Sequence, residues 1–118
     1  MATKKVNPMR ITAENGDVYT LDFTRDSCKF AEDRGFDITQ IRSRLVTGPA
    51  DLFYYVFRAN HRSVTQHFTD RLLEQMGGLT AKQVNRLVDL YMQVVSTHSL
   101  SDDEEGTEKN ASVTVELL

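Results

Sequence analysis

The sequence predicts an α+β fold: an N-terminal β-hairpin and a C-terminal strand forming a small antiparallel sheet, packed on a bundle of about five short helices. Three observations carry this. Apolar residues alternate with polar ones on both sides of Asn15-Gly16. Between Thr24 and His98 the chain repeats helix start and stop signals. Alternation then returns in the last seven residues, SVTVELL, after an acidic stretch.

In the hairpin, Met9, Ile11 and Ala13 alternate on one arm and Tyr19, Leu21 and Phe23 on the other. A two-residue Asn-Gly loop would set Ile11 opposite Thr20 and divide the apolar set between the two faces. A three-residue loop, Glu14-Asn15-Gly16 with Gly16 left-handed, pairs Ile11 with Tyr19 and Met9 with Leu21. All of them then share one face, so the bulged turn is expected.

Thr24 is placed to cap a first helix, RDSCKFAEDR, which Gly35 ends; Phe23 and Cys28 fall where a hydrophobic staple would close. Asp37 is placed to cap a second, ITQIRSRLV, with Gln40 in the capping-box position and Phe36 stapling to Ile41. Gly48-Pro49 breaks the chain and starts a third, ADLFYYVFRAN. Ser63 with Gln66 reads as a capping box opening a fourth helix that Gly77-Gly78 ends. Thr80 with Gln83 opens the fifth, whose stripe of Val84, Leu87, Val88, Tyr91, Val94 and Val95 is the cleanest in the chain.

The expected organisation is a flexible extension over residues 1–8 and a single domain over 9–118. Residues 99–111 form an acidic linker ahead of the terminal strand. At 118 residues, 40% hydrophobic and 26% charged, the chain has the composition of one globular domain. The formal net charge of −3 argues against a polyanion binder, and no apolar run reaches the length of a signal peptide or a membrane span.

No catalytic constellation emerges. His61 and His67 are six residues apart across a helix boundary, not the three or four that place two ligands on one helix face, so no metal site is expected. They read as surface or capping histidines. Cys28 sits where a helix N-terminus would favour a thiolate, yet its staple position reads as a small buried apolar residue. QMGGLT lacks the lysine and preceding strand of a phosphate loop. No cofactor is expected, and no enzymatic activity.

Two features invite a binding function. Arg58, His61, Arg62, His67 and Arg71 form a basic cluster. The helices around Gly77-Gly78 could resemble a DNA-binding pair, but the second offers only Lys82, Gln83, Asn85, Arg86 and Asp89 and is followed by acid, so a solvated face is expected. In LFYYVF the aromatic residues point all round a helix. Either that helix lies between the sheet and the other helices, or one aromatic face meets a partner chain.

Four runs in order, YTLDFTR (19–25), DRGFDI (33–38), LFYYVFRANH (52–61) and KNASVTVEL (109–117), resemble the tail assembly chaperones of long-tailed, non-contractile bacteriophages and prophages. The resemblance implies a non-enzymatic protein of the bacterial host cytoplasm, absent from the mature virion. Such a protein binds the tape measure protein, keeps its apolar helices soluble and helps recruit tail tube subunits. No nucleic-acid or membrane partner is expected. A nucleic-acid-binding regulator of phage origin and a virion structural or adaptor protein are the alternatives. A chaperone for amphipathic helices needs an apolar groove, for which Phe53, Tyr54, Phe57, Leu72, Leu73 and Met76 are the candidate partner-binding residues. An open sheet edge would in addition permit self-association.

Overall fold

The computed structural model describes residues 5–98. The elements run β1 (Met9–Thr12), β2 (Val18–Leu21), α1 (Arg25–Asp33), a 3₁₀ turn (Ile38–Gln40), α2 (Thr47–Phe57), α3 (Gln66–Met76) and α4 (Ala81–His98). The fold is α+β, with a two-stranded antiparallel sheet and four α-helices among the described residues. The expected linker 99–111 and the terminal strand 112–118 lie outside them.

The hairpin takes the bulged register. Met9 pairs with Leu21 and Ile11 with Tyr19, and the loop closes through the Ala13 N–H donating to the Asp17 carbonyl at 2.8 Å. Gly16 has φ of +92°, which a β-branched or bulky side chain would adopt only under strain. The three-residue loop was selected because it gathers the apolar residues on the core side, where Leu21 is fully buried. Of the stretch 1–8, residues 5–8 are described, and they run along α4. The Val6 N–H donates to Gln93 Oε1 at 2.6 Å and Arg86 Nη1 donates to the Asn7 carbonyl at 3.3 Å.

Thr24 caps α1 reciprocally with Ser27, and Phe23 and Cys28 beside that cap are both buried. The second expected helix does not form as an α-helix. Asp37 bonds both the N–H and the hydroxyl of Thr39, at 2.9 and 2.6 Å, while the Gln40 side chain turns to Ser43. A local Asx-type turn thus replaces the expected box. From this stretch only Ile41 is buried, with Ile38 partly so, and a helix this short without a buried stripe has no packing to hold it.

α2 answers the aromatic question: it is the central helix. β2, α1, α3 and α4 all pack on it, and Leu52, Phe53, Val56 and Phe57 are fully buried. Phe53 stacks edge-on against Phe57 at 5.2 Å, and Phe57 meets Tyr19 of β2 at 5.4 Å. Each such side chain contributes about 1.5–3 kcal/mol on burial, so α2 is the main organiser of the core. The fourth expected helix begins two residues late: Thr65, not Ser63, accepts from the Phe68 N–H and caps α3. Gly77 ends it at φ of +77°. The Thr80–Gln83 box opens α4 with both bonds made, at 2.8 and 3.1 Å.

Candidate functional site

The site grows out of the irregular segment before α2. Gly48 lies so close to Ile41 that a Cβ there would stand 2.8 Å from the Ile41 carbonyl oxygen. That approach buries Ile41 and turns the residues between outward. Leu45 and Val46, adjacent in sequence, are consequently 81% and 83% exposed, and Val46 stands at the lip of a surface groove. Val46 is also the N-cap position of α2, where it supplies no side-chain hydrogen bond. Neither its burial nor its capping explains an aliphatic residue there.

The groove, about 500 Å³, runs between the first turns of α2 and one face of α3. Its apolar lining is Val46, Ala50 and Leu73, and its carboxylates are Asp51, Asp70 and Glu74. Asp70, Leu73 and Glu74 share a helical face because they are spaced by three and four residues. Gln66 Nε2 donates to Asp51 Oδ1 at 2.8 Å and ties the two helices across the groove. No basic residue lines it. Asp70 and Glu74 are like charges at i, i+4, an arrangement that weakens an isolated helix by about 0.2–0.5 kcal/mol. The arrangement offers an apolar strip with an acidic rim, which suits a helix carrying an apolar stripe and flanking cations.

Of the six residues expected to meet a partner, Phe53, Phe57 and Leu72 are buried in the core and are not part of this surface. Of the two readings of LFYYVF, the buried one holds for Phe53 and Phe57, because four neighbouring elements pack on α2. Tyr54, Leu73 and Met76 are partly buried against the core, and of these Leu73 lines the groove. The sequence places Leu45 and Val46 on the expected second helix, where nothing marks them as a surface. The signal in the sequence is an aliphatic pair just ahead of Thr47-Gly48-Pro49, the first turn of α2.

Of the basic cluster, Arg58 and Arg62 stay together, Arg58 Nη1 donating to the Arg62 carbonyl at 3.4 Å. Arg58 lies over the Phe30 ring at 3.9 Å, and His61 bonds the sheet edge. Cys28 is buried, and burial, with the Glu32 charge second, pushes its thiol up to about 12. Among the described residues no group of three or more His, Cys, Asp or Glu is placed to hold a metal ion. No helix among them is long and apolar enough to cross a membrane.

A family model described as a domain of unknown function (DUF5055) matches residues 1–117. No curated protein and no solved structure matches the chain.

Proposed function

The chain belongs to the DUF5055 family, and we propose that it acts as a non-enzymatic phage tail assembly chaperone that binds helical segments of the tape measure protein and helps recruit tail tube subunits. The sequence runs that resemble such chaperones motivate the identity of the partner. The observation that carries a binding role is the exposed Leu45–Val46 pair, of which Val46 lines the Ala50–Leu73 groove. Two neighbouring aliphatic side chains this exposed beside an apolar strip form a docking surface in search of an apolar face.

Magnitudes favour a chaperone's mode of binding over a permanent one. Covering Leu45, Val46 and Leu73 contributes at most about 1.5–3 kcal/mol per fully exposed side chain, and Leu73 is already partly covered. Ordering and association costs then leave weak binding at each site. A long helix occupied by many copies gains avidity without any tight single contact, and the copies can leave when tube subunits compete. The same reading includes the finer fold, with 112–118 as a third strand, and a place in the host cytoplasm without nucleic-acid or membrane partners.

The test is co-expression of the full chain with the tape measure protein of the same genome. The wild type is expected to co-purify with it and keep it in the soluble fraction. Val46→Asp and Leu45→Asp, both at exposed positions, are expected to abolish this while leaving the melting curve in place. A wild-type chain that neither binds nor solubilises the tape measure protein would sink the proposal. Its presence in finished particles would favour the structural alternative.

A further inference from the structure

The two edges of the hairpin are not equivalent. The bond from the Ala13 N–H to the Asp17 carbonyl sets the alternation of the ladder, so Ile11–Tyr19 and Met9–Leu21 are the mutually bonded pairs. Val18 and Thr20 on β2, Asp22 just after it, and Arg10 and Thr12 on β1 therefore turn their N–H and C=O groups outward. On the β2 side both groups of Thr20 and the N–H of Asp22 are occupied. The Thr20 N–H donates to His61 Nε2 at 3.1 Å and Asn60 Nδ2 donates to the Thr20 carbonyl at 3.0 Å. The Asp22 N–H donates to the Val56 carbonyl at 3.3 Å. The end of α2 and the turn after it thus close that edge at Thr20 and Asp22.

The β1 edge has no such plug among the described residues: Arg10 and Thr12 make no outward hydrogen bond there. Met9, Ile11 and Ala13 on the β1 arm are only partly covered, as is Tyr19 of β2, whereas Leu21 is fully buried. A two-stranded hairpin is marginal by itself, and half-covered apolar residues beside an open edge mark where a third strand would complete the sheet.

We infer that the outer edge of β1 is a strand-docking site and that its occupant is the chain's own segment 112–118, giving the order 112–118, β1, β2. That segment carries Val113, Val115 and Leu117 on one side, which would extend the apolar face of Met9 and Ile11. The other side holds Glu116, an anion for the outward-facing Arg10. Reach is sufficient. Val6 lies against Gln93, so the start of β1 is within roughly 20 Å of the end of α4, and the 13 residues 99–111 span up to about 43 Å when extended.

The test is amide hydrogen exchange on the full chain, with intrachain cross-linking beside it. The Arg10 and Thr12 amides are expected to exchange at least about 100-fold more slowly than free peptide amides. This protection should survive tenfold dilution and be lost in Val113→Asp/Val115→Asp. Arg10→Cys is expected to form an intrachain disulfide with one of Ser112→Cys, Thr114→Cys or Glu116→Cys, and Val18→Cys with none. Free exchange at Arg10 and Thr12 in the wild type would overturn the inference. So would protection that the double variant leaves intact, protection lost on dilution, linkage to Val18→Cys, or a disulfide found only between two chains; the last would assign the edge to a second copy.

Discussion

His61 Nε2 accepts the backbone N–H of Thr20 at 3.1 Å, across 41 residues of chain. The ring also meets Tyr19 edge-on at 5.1 Å. A histidine that reads as a surface or capping residue in the sequence is thus the cap of a sheet edge, joining β2 to the turn after α2. His61→Ala leaves the Thr20 amide without its partner in a half-buried setting, where the loss is about 1–3 kcal/mol. Urea unfolding should show this as a lower midpoint at unchanged slope. Asn60→Ala, which removes the other bond to Thr20, should be less than additive with it, because the first substitution already loosens the same junction.

The start of α3 provides a second prediction. Thr65 accepts from the Phe68 N–H at 3.2 Å, while Ser63 makes no capping bond among the described residues. Thr65→Ala should lower stability by about 1 kcal/mol and Ser63→Ala should leave it within about 0.5 kcal/mol. Thermal melting of the two variants decides it; equal effects would remove Thr65 from its role.

These two residues show why part of the fold was legible. Apolar alternation around Gly16 determined the hairpin register, since only one loop length put Met9, Ile11, Tyr19 and Leu21 on one face. The Thr24 cap and the Thr80–Gln83 box are local chemistry and form as read. Ser63 and Thr65 both satisfy the local rule, and the neighbouring fold selects between them. The candidate site was less legible for the same reason. Exposure of Leu45 and Val46 follows from the Gly48–Ile41 approach, a tertiary fact that periodicity does not encode. The burial of Phe53 and Phe57 likewise depends on how many elements surround α2.

That approach makes Gly48 a packing residue, not a turn residue. A methyl group at this position meets the Ile41 main chain at 2.8, 3.1 and 3.3 Å, atoms that cannot rotate away as a side chain would. Gly48→Ala therefore displaces the 38–46 segment or the start of α2. A loss of about 1–3 kcal/mol is expected from overpacking, against the usual gain when alanine replaces glycine in a helix. Denaturant unfolding gives the sign directly, and a stabilised variant would contradict the close contact. Gly77→Ala also destabilises, by about 1–2 kcal/mol, through its left-handed backbone with open space around it.

Cys28 and Tyr91 predict an alkaline limit to stability. Burial pushes the Cys28 thiol from 9.0 to about 12, helped by the Glu32 charge. Burial also pushes Tyr91 up, and its hydroxyl donates to Glu32 Oε2 at 3.1 Å. Both groups are neutral when protonated, so the folded state holds protons that the unfolded chain releases at lower pH. Their stabilising contribution is complete below about pH 9, the range in which a free thiol ionises, and is lost progressively as pH rises toward 12. The melting temperature should accordingly fall above pH 9, and Cys28→Ala should make that fall shallower. At pH 8 the folded thiol should resist alkylation by iodoacetamide, reacting at least about 100-fold more slowly than in the urea-unfolded chain, because thiolate is the reactive form. Equal labelling rates in the folded and unfolded chain would show that Cys28 is not held protonated in the core.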